Sequence, residues 1–380
     1  MTIKGYAAPE TKAALELARK LIEQAEALGE PPEDPLLVFS VLYGVWGVDR
    51  IAVNGDAMRD LSAQFLALAS KQSATVPLMN GHRIVGVSLL LTGDISEGRE
   101  SLDRAITLYD PVEHPTLAAR FAVDIAVSIW CYRSIALWLL GYPDAALADT
   151  KRVVQHARGI GQAASLMFAL HHSSLTQIQF GHYAAANADA DELAVLAEEK
   201  DASLWKASGL LWRGCLLTMT GKASDAIPAI TAGLAALRST GSTMWMPLLL
   251  TYLARAHSAL GQSDEARRCI GEAMTAVETA KERWCESEVN RVAGEIWLRS
   301  PDPDRQKAED YVRRALTVAR TQQARSLELR AAMSMARLWR DQGKPLQARE
   351  LLAPVYDWFT EGFDTLDLKE AKALLNSLAS

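Results

Sequence analysis

Four glycines recur at intervals of 40 residues and restrict the architecture open to this chain. Gly141, Gly181, Gly221 and Gly261 each follow one helix-like segment and precede another. Glycine tolerates the left-handed backbone that a helix C-terminus requires, so each glycine marks the reversal between two helices of a hairpin. A period of roughly 20 to 50 residues built from such hairpins is typical of a solenoid, in which stacked neighbours bury one continuous core.

Small residues flank these glycines at constant distances, and they allow the two helices of a hairpin to cross closely. Seven residues before the glycines lie Ser134, Ser174, Gly214 and Ala254, and five residues after them lie Ala146, Ala186, Ala226 and Ala266. Gly93 and Gly343 fit the same frame. A repeat without a turn glycine is expected between Gly261 and Gly343, with its turn at residues 300–304, and residues 54–57 are a candidate turn near the N-terminus.

We therefore predict an all-α fold, a right-handed α-solenoid of about eight to nine helical hairpins with a period of about 40 residues. Residues 1–380 are expected to form a single solenoid. Within it, residues 1–75 hold less regular N-terminal repeats, 76–345 hold the regular repeats and 346–380 form C-terminal capping helices. Eight extra residues between Gly93 and Gly141 fall in an insertion loop at residues 109–115.

The hairpin pattern resembles the tetratricopeptide repeat, in a variant longer than the usual one of roughly 34 residues. HEAT and armadillo arrays have a similar period and remain the alternative. The paired small residues around the turn glycine favour the tetratricopeptide interpretation.

Composition is ordinary for a folded soluble protein, with 49% apolar and 23% charged residues and a net charge of −6. The N-terminus lacks a basic-then-apolar signal, and no apolar run is long enough to span a membrane. The four cysteines have no metal-binding spacing, so we expect buried free thiols in a reducing cytoplasm. They are Cys131, Cys215, Cys269 and Cys285.

Motifs for catalysis and nucleotide binding are absent from the sequence. It contains no GxxxxGK[ST], HExxH or GxSxG, and the lone Gly159-Ile160-Gly161 is interpreted as a helix stop. His171 and His172 are adjacent on a helix, about 100° apart, and cannot easily share a metal ion. We expect no enzyme activity, no metal and no cofactor.

Direct binding of nucleic acid is also not expected. The densest basic region contains Arg313, Arg314, Arg325 and Arg330, but Glu309, Asp310 and Glu328 interleave with them. A nucleic-acid footprint requires a surface of one sign, so this region is interpreted as a solvated face of mixed charge.

A concave groove lined by the first helices is the expected binding surface of such a stack. Its positions recur ten, six and three residues before each turn glycine, are apolar in the middle and cationic at the ends, and suit an apolar helix or peptide with acidic flanks. The alternative is that the groove is closed and these side chains are partly core. The candidate residues are Arg83, Trp138, His171, Leu175, Leu211, Arg255, Arg337 and Arg340.

Several segments carry a more specific family resemblance. The longest runs through residues 326–330, 337–344, 348–356, 358–365 and 367–372, and shorter ones lie at 4–10, 108–111 and 136–143. The chain resembles the C-terminal region of bacterial class III adenylate/guanylate cyclases that are joined to a STAND-type ATPase and a tetratricopeptide tail. Some members carry a winged-helix DNA-binding domain in place of the cyclase.

The resemblance implies a regulatory role for this chain, but it does not imply catalytic activity. The cyclase carboxylates and the ATPase phosphate loop would lie before Met1. The family's Gly-x-Asp-Pro-Gly run is Ala122-Val123-Asp124-Ile125-Ala126 here, so the aspartate is kept and the Pro-Gly is lost. A second candidate site in the insertion loop therefore comprises Tyr109, His114 and Asp124.

Two functional hypotheses follow. The first is a non-catalytic interaction or sensor scaffold, regulatory for a cyclase/ATPase-type system, that binds a peptide, a protein partner or a small effector. The second is a separated or remnant C-terminal part of a multidomain adenylate cyclase or predicted ATPase. An enzyme on a solenoid would require a catalytic constellation that the sequence does not contain. Binding to membranes is not expected, and the oligomeric state stays open.

Overall fold

The computed structural model describes residues 9–27, 34–72, 74–111 and 117–378, and within these ranges it contains helices and no strand. The all-α prediction is confirmed. The helices are α1 (Pro9–Ala27), α2 (Pro35–Ala52), α3 (Gly55–Gln72), α4 (Thr75–Thr92), α5 (Ile95–Thr107), α6 (Ala118–Phe121), α7 (Ile125–Leu139), α8 (Pro143–Ile160), α9 (Ala163–Phe180), α10 (Tyr183–Glu199), α11 (Ser203–Met219), α12 (Ala223–Ser239), α13 (Met246–Ala259), α14 (Ser263–Ala280), α15 (Glu286–Arg299), α16 (Arg305–Thr321), α17 (Arg325–Asp341), α18 (Pro345–Asp357) and α19 (Leu366–Ser377).

In the part of the chain that the structure describes, consecutive helices pair into eight hairpins, in agreement with the predicted eight to nine. Hairpins 1 and 2 are α2–α3 and α4–α5, and hairpins 3 to 8 are the successive pairs from α7–α8 to α17–α18. Helix α1 packs on α2, the short α6 lies between hairpins 2 and 3, and α19 packs on hairpin 8. The stack of neighbouring hairpins is the predicted solenoid.

The turn glycines have the predicted left-handed backbone. Their φ angles run from +72° at Gly261 to +103° at Gly93. Hairpins 1 and 7 reverse without glycine. Hairpin 1 uses Val53, with φ +42°, and Gly55 is instead the first residue of α3. Hairpin 7 ends its first helix at Ser300 in an extended conformation.

Small residues stand where the two helices of a hairpin cross, as predicted. A Cβ atom added at Gly86 would lie 2.8 Å from the Gly98 carbonyl oxygen, and one at Gly294 would lie 2.9 Å from that of Ala308. These distances are shorter than van der Waals contact. A larger residue at either position would push the helices apart.

The solenoid closes on itself every five hairpins. Backbone carbonyls at the ends of first helices in hairpins 1, 2 and 3 accept hydrogen bonds from the starts of hairpins 6, 7 and 8. Successive superhelical turns are therefore in direct contact. The bonds run from Thr243 N to Ile51 O (3.0 Å), from Arg283 N to Leu91 O (2.9 Å) and from Ser326 Oγ to Trp138 O.

The turn glycines of the early hairpins lie at this contact. A Cβ atom at Gly141 would lie 2.5 Å from the Trp358 ring, and one at Gly181 would lie 2.9 Å from Leu366. At Gly221 and Gly261, in hairpins 5 and 6, a Cβ atom would meet none of the described residues within 4 Å. The same turn thus serves as a contact between superhelical turns in the first half of the chain and as free surface in the second.

Closure leaves the inner face of the solenoid largely buried. The cysteines Cys131, Cys215, Cys269 and Cys285 are free and buried, as predicted. Gly161, with φ +70°, caps the C-terminus of α8, which agrees with its interpretation as a helix stop.

Among the residues described, no helix combines the length and apolar character needed to cross a membrane.

Candidate functional site

Five of the predicted groove residues are enclosed by the closure of the solenoid. Each is at most 6% exposed, because the inner face packs against itself at these positions. The Arg83 guanidinium stacks on the Tyr43 ring, 4.6 Å from its centroid. These residues therefore belong to the core or to its cavities. They are Arg83, Trp138, His171, Leu175 and Leu211.

The remaining three groove candidates are cations that already have acidic neighbours. Arg255 Nη1 lies 3.6 Å from Glu288 Oε1, and Arg337 Nη2 lies 2.8 Å from Glu370 Oε2. Arg340 pairs with the adjacent Asp341 at 3.0 Å. Arg255 and Arg337 line the same cavity, so the structure brings these two together.

This charged cavity has a volume of about 620 Å³. It lies among α9, α13, α15, α17 and α19 in the C-terminal half. Its wall carries six arginines and five carboxylates. They are Arg255, Arg291, Arg299, Arg305, Arg330 and Arg337, and Glu288, Glu295, Asp341, Asp367 and Glu370.

A buried ion pair fixes the middle of the charged cavity. Arg291 donates two hydrogen bonds to Glu288, at 2.8 and 2.7 Å, and a further one to Glu295. Burial by itself would raise the pKa of Glu288, but the charge of Arg291 outweighs it and holds that pKa well below its usual range. A buried charge without its partner is strongly unfavourable, so this pair is a rigid part of the wall.

Arg330 ties three elements together at the edge of this cavity. Its guanidinium donates to the Gln179 carbonyl oxygen (2.7 Å), to the Gln179 side chain (2.9 Å) and to Asp367 (2.7 Å). It also stacks on the Trp138 ring at 5.1 Å. The interpretation of Arg330 as part of a solvated basic face is therefore wrong. Its side chain is only 14% exposed, because hairpin 4 packs against hairpin 8.

The rim of the charged cavity offers unpaired positive charge. Arg299 and Arg305 are exposed and make no ion pair within 4.0 Å among the described residues. Guanidinium groups recognise carboxylates and carbonyl oxygens through several N–H donors in a fixed plane. The cavity can therefore hold both donors and acceptors of a polar chain, with a preference for acidic groups at the rim.

The second, aromatic cavity lies in the N-terminal half and has a volume of about 310 Å³. It is enclosed by α2, α9, α11 and the segment 242–245 that leads into α13. His171 is the groove candidate that lines it. The walls are mostly apolar, with Met167, Phe168, Trp205 and Trp245 beside His172.

In the predicted insertion-loop site, the aspartate has a structural role as a helix cap. The buried Asp124 carboxylate accepts a hydrogen bond from Val127 N at 3.0 Å and so caps the N-terminus of α7. Tyr109 donates to its other oxygen at 3.2 Å. His156, which the sequence analysis missed, lies 3.5 Å from the same carboxylate. His114 lies outside the described residues.

Arg330 and Asp367 line the charged cavity but are not among the predicted groove residues. One lies a helical turn away from the predicted groove positions, and the other lies outside the regular repeats. Arg330 lies thirteen residues before Gly343, one further helical turn toward the N-terminus than the sampled positions. Extending the frame to that position would have found it. Asp367, by contrast, belongs to α19, which contains no turn glycine.

Comparison with known proteins supports the architecture. The tetratricopeptide repeat family matches residues 247–272, within α13 and α14. A comparison with curated protein sequences gives no match.

Similar solved structures share the fold along almost the whole chain. A Rap protein complexed with competence and sporulation factor is 10% identical, covers 98% of this chain and 100% of its own, and has a TM-score of 0.62. The Rap conjugation gene regulator of plasmid pLS20, in complex with the Phr* peptide, is 10% identical over 98% of this chain and 96% of its own, with a TM-score of 0.54. Aspartyl phosphate phosphatase F from Bacillus subtilis is 12% identical over 94% and 92%, with a TM-score of 0.50. At these identities the likeness concerns the fold alone.

Proposed function

We propose that this chain is a non-catalytic scaffold that binds a peptide, or a peptide segment of a protein partner, in the charged cavity. The observation that carries the proposal is the presence of both guanidinium and carboxylate groups around a cavity of about 620 Å³. A peptide main chain presents both N–H donors and carbonyl acceptors, and such a wall can satisfy both. An acidic side chain or C-terminal carboxylate of the peptide pairs with Arg299 or Arg305 at the rim.

The rigidity of the wall favours recognition. The Arg291–Glu288 pair and the Arg330 contacts hold their side chains before any ligand binds, so little conformational entropy is lost on binding. Two of the similar structures are described as complexes with a peptide or a factor. Those words concern those proteins, and they support testing a peptide ligand first here.

The regulatory context is a second part of the proposal. The family resemblance favours a cytoplasmic sensor that acts on a cyclase/ATPase-type partner. The alternative is a separated C-terminal part of a multidomain adenylate cyclase or predicted ATPase that acts only with a catalytic partner. The coding sequences next to this one distinguish the two, because the alternative requires a phosphate loop and paired metal aspartates there.

The peptide proposal is tested by screening an array of random peptides with the full chain and measuring affinities of the selected peptides by calorimetry. We expect selected peptides to be acidic and to lose at least about tenfold in affinity, or about 1.4 kcal/mol, on Arg299→Ala/Arg305→Ala. The matched control is Arg268→Ala/Arg349→Ala, two exposed arginines that do not line the cavity. Equal affinities for both double variants would place the site elsewhere.

A further inference from the structure

The aromatic cavity lies in the seam between two superhelical turns. Tyr43 and Ile51, from hairpin 1, form one side, and Met244 and Trp245, at the start of hairpin 6, form another. The two sides are joined directly by the hydrogen bond from Thr243 N to Ile51 O. A volume of about 310 Å³ is at the lower end of the range for small-molecule sites, which is roughly 300 to 1,000 Å³.

The hydrogen bonds of the two histidines determine which ring nitrogens carry protons. Trp212 Nε1–H, which can only donate, lies 3.0 Å from His171 Nδ1, so that Nδ1 is an acceptor. His172 Nδ1 lies 2.9 Å from the Phe168 carbonyl oxygen, which can only accept, so that Nδ1 carries a hydrogen. In the neutral rings, therefore, His171 Nε2 is a donor and His172 Nε2 is an acceptor.

Both rings are neutral because burial lowers the pKa of each histidine, in the case of His172 to about 3. The Nε2 atom of His172 is buried without a hydrogen-bond partner. The Nε2 of His171 also has no hydrogen-bond partner among the described residues, but it is accessible rather than enclosed. The ring centroids are 4.9 Å apart. The enclosed Nε2 of His172 is thus an unsatisfied acceptor beside an apolar cavity, which is a costly arrangement unless another group completes it.

We propose that the aromatic cavity is a second binding site, for a small, uncharged, planar molecule that carries a hydrogen-bond donor beside an acceptor, as a lactam or amide does. Its oxygen accepts from His171 Nε2–H and its N–H donates to His172 Nε2. Its ring packs against Phe168, Trp205 and Trp245. This site is separate from the charged cavity and does not depend on the proposed peptide binding.

The charge of the ligand follows from the wall. A cation is disfavoured because Lys200 and Arg50 line the cavity, and the Arg50 guanidinium donates to Tyr132 Oη at 3.0 Å. A carboxylate does not fit the pair, because it lacks the hydrogen that His172 Nε2 requires. An uncharged molecule in contact with hairpins 1 and 6 would hold the seam closed and stabilise the folded chain.

The experiment uses 2-quinolone, a bicyclic lactam, as the probe and N-methyl-2-quinolone as the matched probe without the donor. Binding to the full chain is measured by isothermal titration calorimetry, and thermal unfolding is measured with and without probe. We expect saturable binding of 2-quinolone, a rise in the unfolding temperature, and at least about tenfold weaker binding of the N-methyl analogue.

Three variants locate the site. His172→Phe removes the acceptor and should weaken the binding of 2-quinolone at least about tenfold. Ala164→Phe adds a ring at a half-exposed position of the cavity wall and should abolish binding without touching the histidines. His182→Phe, at an exposed histidine outside the cavity, should bind as the wild type does.

The proposal is overturned by any of three results. These are absence of saturable binding to the folded wild type, unchanged binding to Ala164→Phe, and equal affinity for the two quinolones. Far-UV circular dichroism shows whether His172→Phe folds. If it does not, Ala164→Phe and the N-methyl probe still test the proposal. None of these outcomes depends on peptide binding in the charged cavity.

Discussion

Individual residues in the interior show two opposite responses to burial. Burial lowers the pKa of the His172 ring and raises that of the Glu282 carboxyl, to about 3 and about 7. In both cases the neutral form is favoured. Their effects on the free energy of unfolding therefore have opposite signs along the pH scale, and each can be isolated by a neutral substitution.

Acid should destabilise the protein through His172. Below its ordinary pKa of 6.5 the unfolded chain binds a proton that the folded chain excludes until about pH 3. The free energy of unfolding then falls by about 1.4 kcal/mol per pH unit. We expect the wild type to lose about 1.6 kcal/mol relative to His172→Gln between pH 6.5 and 5, by urea unfolding. A constant difference over this range would contradict the buried neutral ring.

Glu282 should act in the reverse direction. The folded chain keeps its proton up to about pH 7, whereas the unfolded chain releases it near 4.5, so the wild type loses stability as the pH rises through this window. In Glu282→Gln the side-chain oxygen can still accept from Trp245 N and Trp284 Nε1, both at 3.1 Å. The variant should gain about 1.4 kcal/mol per pH unit over the wild type between pH 4.5 and 7, and nothing more above pH 7.

Asp124 should behave as a helix cap. Asp124→Ala removes the acceptor for Val127 N and should lower the free energy of unfolding by about 1 to 2 kcal/mol. Asp124→Asn keeps an acceptor and should retain most of that stability. Thermal unfolding of the two variants checks this. Equal destabilisation by both would show that the charge near His156 matters more than the cap.

Helical hairpins are the level at which the sequence was most informative. The turn glycines and the small residues at the crossings are local requirements of one backbone, so their spacing is visible in the chain. Hairpins 1 and 7 were harder to recognise for the same reason. Val53 adopts the left-handed backbone without being glycine, and Ser300 ends its helix in an extended conformation.

Two turn glycines that look alike in the sequence should respond differently to substitution. Asparagine tolerates the left-handed backbone, so Gly221→Asn should cost less than about 1 kcal/mol. Gly141→Asn places a Cβ atom 2.5 Å from the Trp358 ring and should cost clearly more, because two superhelical turns must separate. Chemical unfolding of the pair provides the measurement. Similar losses would mean that the turns are not in tight contact.

For the whole molecule, the number of hairpins per superhelical turn could not be predicted. It depends on small rotations between neighbouring hairpins, which the length of the repeat does not reveal. The number of hairpins per superhelical turn nevertheless determines which residues form the candidate site. It encloses Leu175 and Leu211, and it brings Arg330 from hairpin 8 to Gln179 in hairpin 4. The positions sampled from the sequence reached both cavities, through His171 in one and Arg255 and Arg337 in the other, but they missed the Arg291–Glu288 pair.

Because superhelical turns contact each other, hairpins that are distant in sequence should lose protection from hydrogen exchange together. Leu352→Ala leaves a cavity in hairpin 8, where the side chain is fully buried, and should cost about 2 to 5 kcal/mol. In an open array the loss would stay with neighbouring hairpins. Here we expect faster hydrogen exchange also at residues 134–140 of hairpin 3, which contacts Ser326, and little change at residues 38–50. Mass spectrometry of exchanged peptides distinguishes the two outcomes.

The contact between superhelical turns has a mechanical consequence. A coil wound until its turns touch has no room to shorten, and it lengthens only after the load exceeds the force that holds the turns together. Hydrogen bonds such as those at Ile51, Leu91 and Trp138 set this threshold. Pulled from its ends, the protein should remain stiff at low tension and then yield as a soft spring, one turn peeling from the next before any helix unravels.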